Sequence, residues 1–109
     1  MLQTTEAPWT ESETQCAHTL LQKAYEREVS NLLEDVQAQV SDITKVDELW
    51  KLHDFLSAKR HEIDGKYDGR ESVIVFVFAQ LLKEQLIDAE ELAFLAGEKR
   101  AKIKALARL

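Results

Sequence analysis

The chain carries only three glycines and one proline in 109 residues, and none of them falls between residues 10 and 43. Glycine and proline break helices and shape tight turns. Their scarcity points to long uninterrupted helices and against a turn-rich β fold. Thr10 and Glu13 have the T-x-x-E spacing of a capping box, just after Pro8. Apolar side chains then recur at Ala17, Leu21, Tyr25, Val29, Leu32, Val36, Val40 and Ile43, in steps of three or four, which is the helical period. The spacing predicts a helix of roughly 30 residues, about 45 Å long, well beyond the globular average. A short chain has little else to lay along such a rod, so its stripe asks for a long antiparallel neighbour or a second subunit. Residues 1–9 read as a loose tail.

A second helix is predicted from about Thr44 to Asp64, with Asp47 in its first turn and Gly65 as its C′ residue. At about 100° per residue, Leu49, Leu52, Leu56 and Ile63 fall on one side. Trp50, His53, Asp54, Ser57, His61 and Asp64 fall on the opposite side, with Arg60 at the edge. A tryptophan on that polar face is covered by something other than the leucine stripe, or it awaits a partner. Asp68 and Glu71 have D-x-x-E spacing and open a third segment, residues 69–86. Its VIVFVF run has strand propensity, yet it continues without a break into the helix formers AQLLKEQL. No second strand is evident for pairing, so helix is predicted. Asp88 and Glu91 form a third box, opening a last helix with Leu92, Leu95, Ile103 and Leu106 as its stripe and Gly97 inside it. The sum is an all-α fold of about four helices in one domain, residues 1–109: a flexible tail (1–9), a long first helix in an antiparallel stem (about 10–64) and a smaller helical head (about 68–109). If a second subunit is what covers the stripe, a homodimer is expected through Leu32, Val36, Val40, Ile43, Leu49 and Trp50.

Charge narrows the class of partner. The net charge is −6, but residues 1–50 hold three basic and ten acidic side chains and residues 51–109 hold eleven and ten. The final KRAKIKALARL has five basic groups and no acid. A short basic end on an acidic chain suits an acidic protein surface, and it also complements a helix C-terminus. No broad basic face with interleaved aromatics supports nucleic-acid binding. The longest apolar run, VIVFVFA, is far too short to span a bilayer, and MLQTTEAPW lacks the features of a signal peptide. A soluble intracellular protein is expected. The single Cys16 fits a reducing compartment and excludes an internal disulfide.

Catalytic chemistry finds little support. His53 and Asp54 are adjacent, as in His-Asp metal sites, and His61 and Asp64 share their face. Their spacing along one helix, however, spreads them over roughly 10 to 15 Å, whereas one ion needs three or four converging ligands. The only other histidine is His18, in the first helix. Cys16 has no neighbour that would activate its thiol, and there is no phosphate loop or nucleophile elbow. No catalytic residue and no metal site is expected. Trp50, His53, Asp54 and Arg60 read better as a recognition surface, since Trp and Arg are enriched at interface hot spots. Periodicity alone leaves a second reading open, in which Trp50 packs on a neighbouring helix and His53 and Asp54 merely border it. Phe76 and Phe78 point to opposite sides of a helix, one for the core and one for the surface near the basic C-terminal helix.

The strings WKLHDFLSAKRHEIDGKYD, VFVFAQLLKE and KIKALARL, with the opening MLQTTEAPW, closely resemble the cyanobacterial fluorescence recovery protein family. The resemblance runs the length of the chain, with residues 16–48 more divergent in detail. It implies an all-helical homodimer with long helices packed across a two-fold axis, no cofactor and no covalent chemistry. It implies binding to the photoactivated red form of the orange carotenoid protein, chiefly through that protein's C-terminal domain. The outcome expected is a faster return to the orange form, detachment from the phycobilisome and an end to photoprotective quenching, in the cytoplasm on the thylakoid surface. Family residues tied to activity match Trp50, His53, Asp54 and Arg60, and a second binding region matches Phe76 and Lys102. Whether Trp50 serves the dimer or the partner is left open. Competing readings are a generic dimeric helical adaptor, which would not alter carotenoid photocycle kinetics, and a small hydrolase using His53 and Asp54, which would hold metal.

Overall fold

The computed structural model describes residues 8–109. Four α-helices follow in order: α1, Glu11–Asp42; α2, Val46–Asp64; α3, Ile74–Lys83; and α4, Gly97–Ala107. A short 3-10 turn, Ala89–Leu92, stands between α3 and α4. No strand occurs among the described residues, and the VIVFVF run is helical from Ile74 onward. Of the expected tail, residues 1–7 lie outside the described residues. Trp9 is not loose: it is half-buried, and the Lys99 ammonium lies 5.2 Å from its ring centroid.

The start of α1 is set locally, as the sequence predicts. Glu13 N–H donates to Thr10 Oγ1 at 3.0 Å, and Thr10 N–H donates to Glu13 Oε1 at 3.0 Å. Both halves of the capping box are therefore made. At 32 residues, α1 is about 48 Å long. The described residues divide into two compact units, one of residues 8–24 with 68–109 and one of residues 25–67.

In the first unit, Ala17, Leu20, Leu21 and Ala24 of α1 are buried, together with Ile74, Val75, Phe78, Ala79 and Leu81 of α3. Leu86, Ile87, Leu92, Leu95 and Ile103 complete this core. Each fully buried large side chain contributes about 1.5 to 3 kcal/mol. Phe78 has no exposed surface and meets Phe94 edge-on, with ring centroids 6.5 Å apart. Gly69 lies close to α1, where a Cβ would come within 3.2 Å of the His18 ring.

Two boundaries in this unit depart from the sequence reading. Asp68 and Glu71 do not open α3. Asp68 instead accepts from Arg70 N–H at 3.0 Å and grips the Arg70 guanidinium at 2.6 Å, and α3 begins only at Ile74, with no side-chain cap. The predicted Asp88–Glu91 box does form, with Asp88 N–H donating to Glu91 Oε1 at 2.9 Å, but it opens only the 3-10 turn. The last helix is broken before Gly97, which is the first residue of α4 rather than an interior one. Extended backbone at Ala96, ψ 149°, turns its N–H to Glu13 Oε2 at 2.9 Å, a bond made outside the helix. The end of α3 is also unusual. Gln85 has φ 63° and stands where glycine normally would. Its N–H reaches Leu82 O and the Leu86 N–H reaches Leu81 O, which is the Schellman pattern.

In the second unit, α2 returns along α1 as an antiparallel helical hairpin, so that Glu28 of α1 meets Lys66 just beyond α2. Glu48 ties the connection by accepting from Lys45 N–H at 3.1 Å and from the Thr44 hydroxyl at 3.3 Å. Leu52 is buried, and Leu56 and Ile63 are half-buried on the same side. Leu49, assigned to that stripe, is 47% exposed. It sits at the edge of the stripe, where the described residues leave it open. Gly65 ends α2 as predicted but not in the left-handed conformation of a C′ glycine: its φ is −97°, and Lys66 N–H closes the turn on Ile63 O.

Candidate partner-binding surface

The polar side of α2 is presented intact. Trp50 is 59% exposed, and its ring meets His53 edge-on at 6.3 Å between centroids. His53 Nδ1 lies 3.2 Å from Asp54 Oδ1. A tautomer protonated at Nδ1 donates to that carboxylate and turns Nε2 to solvent. Ser57, His61 and Asp64 are exposed on the same side. Arg60 has its Nε 3.9 Å from Asp64 Oδ2, and the side chain is 86% exposed. A pair this long and this wet adds no more than about 1 kcal/mol, so the guanidinium remains available to an outside carboxylate. Trp50, His53 and Asp54 thus form one contiguous group, and Arg60 stands about two turns further along the helix.

The stem positions carry an apolar surface beside this group. Leu32, Val36 and Ile43 are half-buried, and Val40 is 53% exposed along with Leu49 and Trp50. The sequence reading missed Leu33, Val46 and Phe55, which are 57%, 60% and 40% exposed. The Leu32–Leu33 doublet was the available signal, since one of two adjacent leucines on a helix must leave the stripe.

Phe76 and Lys102 belong to the other unit, Phe76 on α3 and Lys102 on α4. Phe76 is 54% exposed, and Lys102 Nζ lies 5.8 Å from its ring centroid, within cation–π reach. Phe78, two residues on, is core.

Two buried ionic clusters went unseen in the sequence. Glu13 and Lys99 are both buried, with Lys99 Nζ 3.0 Å from Glu13 Oε1 and 3.2 Å from the Pro8 carbonyl. The Thr10 N–H lowers the Glu13 pKa most. Burial opposes it, the Ala96 N–H and the Lys99 ammonium assist, and the carboxyl is held at about 2. In the second unit the Glu28 carboxylate accepts from the Tyr67 hydroxyl at 2.5 Å and from Lys66 Nζ at 3.0 Å, with Lys59 Nζ at 3.5 Å. Burial pushes the Glu28 pKa up, but the Tyr67 and Lys66 hydrogen bonds and the lysine charges outweigh it and lower the value overall. Partners 38 and 39 positions apart leave no local signature.

Among the described residues, no three His, Cys, Asp or Glu side chains approach closely enough to share a metal ion, and His53 with Asp54 does not converge on His61 with Asp64. Cys16 is an exposed free thiol. No described helix is long and apolar enough to cross a membrane.

Comparison with known proteins agrees across sequence and fold. Residues 9–107 match the family described as photoprotection regulator fluorescence recovery protein. The fluorescence recovery protein of Synechocystis sp. PCC 6803 is 72% identical over 109 residues, the whole of both chains. Its solved structure superposes with a TM-score of 0.90, covering 94% of this chain and 100% of that one. The R60K mutant of that protein, 70% identical with the same coverage, also gives 0.90. The Fremyella diplosiphon fluorescence recovery protein, 47% identical, gives 0.89 over 94% of this chain and 100% of its own. With likeness this complete, from end to end of the sequence and helix by helix, the chain belongs to the fluorescence recovery protein family of photoprotection regulators.

Proposed function

We propose that this chain binds the photoactivated red form of the orange carotenoid protein, chiefly through that protein's C-terminal domain, and speeds its return to the orange form. Detachment from the phycobilisome and recovery of fluorescence follow, in the cytoplasm at the thylakoid surface. The chain acts without cofactor or covalent chemistry, as a homodimer joined through residues 10–64, with residues 68–109 as a head. The observation that carries this reading is the full-length match to the family. The exposed Trp50, His53, Asp54 and Arg60 group supports it as the main contact, and Phe76 with Lys102 as a second one. The apolar surface of Leu33, Val40, Val46 and Leu49 is the face offered to the second protomer, and Trp50 at its border serves both interfaces. The R60K mutant structure of the Synechocystis relative shows that lysine at that position is compatible with the fold in that protein, so a loss of activity on Arg60→Lys here would report on recognition.

Acceleration has a physical requirement. A protein that only bound the red state would slow its decay. To speed relaxation it must bind the transition toward the orange form more tightly than the red form itself. Holding two separated domains of the target close to one another does this by raising their effective concentration. The test is kinetic. Carotenoid protein is photoconverted with blue light, and visible absorbance is followed in darkness with and without this chain. Faster return at substoichiometric amounts is the expected result. An unchanged rate, with helicity and dimer intact, would leave a helical adaptor for another partner.

A further inference from the structure

The buried lines of α2 change character along its length. Leu52 and Lys59 are spaced by seven and share one side of the helix, and Lys66 follows just beyond its end. Leu52 is buried, whereas Lys59 and Lys66 both reach the Glu28 carboxylate of α1, at 3.5 and 2.9 Å. Tyr67 adds its hydroxyl to the same carboxylate, and its ring is held edge-on against Tyr25 at 5.5 Å. Lys66 is nearly as buried as Glu28, with side-chain exposures of 8% and 7%. The apolar stripe is thin here, because Ile63 is the only stripe residue past Leu56 and is only half-buried. Hydrogen bonds to a charge are directional and strong; those from Lys66 and Tyr67 tie the segment just after α2 to α1, and the Lys59 ion pair ties the last turns of α2 itself. Trp50, His53, Asp54, His61 and Asp64 stand roughly opposite the Leu52–Lys59 line, and Arg60 is about 100° round from Lys59.

We infer that Glu28, a buried residue on α1, is the positioning residue that sets the rotation of α2 and thereby the presentation of Trp50, His53, Asp54 and Arg60 to the partner. The inference rests on the proposed function for its partner and on geometry alone for the positioning. Glu28→Gln keeps an acceptor but loses the charge. Tyr67→Phe removes one hydrogen bond and keeps the ring. Amide hydrogen exchange is measured first, without any partner. Both variants should exchange about tenfold faster or more over residues 56–64, as loss of one charge-assisted bond predicts, with residues 74–83 unchanged. Exchange that is unchanged there, or faster everywhere, overturns the positioning role. In the recovery assay, the concentration giving half the maximal acceleration should rise about fivefold. The effects of Glu28→Gln and Arg60→Lys should also be non-additive, as expected for coupled residues. Strictly additive effects, or an unaltered recovery with a loosened α2, overturn the link to the partner surface. If the unmodified chain does not accelerate recovery, the functional reading falls, and the exchange pattern still decides whether Glu28 positions α2.

Discussion

Glu13→Gln removes one charge from the most enclosed ion pair in the chain, and its cost can be worked in two ways. The carboxylate accepts from three donors: Thr10 N–H, Ala96 N–H and Lys99 Nζ. A glutamine has one acceptor oxygen, so its amide NH2 must face a donor whichever way it flips. Leaving a buried donor unsatisfied costs about 1 to 3 kcal/mol, and the lost charge-assisted bond about 1.5 to 3. Separately, a carboxyl held at about 2 against an ordinary 4.5 corresponds to about 3 kcal/mol of preferential stabilisation of the ionised form. The first route gives about 2.5 to 6 kcal/mol, and the second falls at the low end of that range. The sign with pH follows. A depressed pKa means that this stability is complete above 4.5 and lost as pH falls toward 2. Urea unfolding at fixed protein concentration, from pH 7 to pH 2, should show Glu13→Gln weaker by about 3 kcal/mol at neutral pH, with the gap closing in acid. A variant within about 0.5 kcal/mol of the parent at pH 7, or a gap that persists at pH 2, would refute the argument that this carboxylate holds the N-terminus of α1 to α4.

Three further outcomes are expected. Gln85→Gly relieves a left-handed residue at the end of α3 and should stabilise the protein by about 0.5 to 1 kcal/mol, read as a raised thermal midpoint. Phe78→Ala should cost about 3 to 5 kcal/mol in urea, whereas Phe76→Ala, on an exposed ring, should change stability by less than about 0.5. Leu49→Glu charges an exposed apolar position, so sedimentation should show a monomer while far-UV circular dichroism keeps the helical signal; an unchanged dimer would place the interface elsewhere.

Features governed by near neighbours were legible in the sequence. Thr10 with Glu13, and Asp88 with Glu91, are three residues apart and form their boxes as predicted. The faces of α2 followed from period alone, and only Leu49, at the edge of the stripe, departed. Where a third residue competed, the reading failed: Arg70 took the Asp68 carboxylate, and α3 lost its expected cap. The break before α4 has one of its causes in Glu13, 83 positions away, and no local pattern records such a partner. Glu28 and Lys99 look like ordinary surface charges until their partners are placed. The Trp50 group was legible as a polar-aromatic face, whereas its role is carried by family likeness and not by geometry alone.

The helical state of VIVFVF has a consequence for the unfolded chain. Residues 73–78 contain no charge, proline or glycine, and β-branched and aromatic side chains of this kind stack readily into steric zippers. Folded, α3 hides Ile74, Val75 and Phe78 and satisfies its own backbone. Unravelled, the same six residues become an adhesive edge for another copy, and Arg70, Glu71, Lys83 and Glu84 on the flanks act as gatekeepers. Order of events then matters. α3 must be sheltered before two unfolded chains meet, and at high protein concentration unfolding of this helix becomes a one-way step into aggregate.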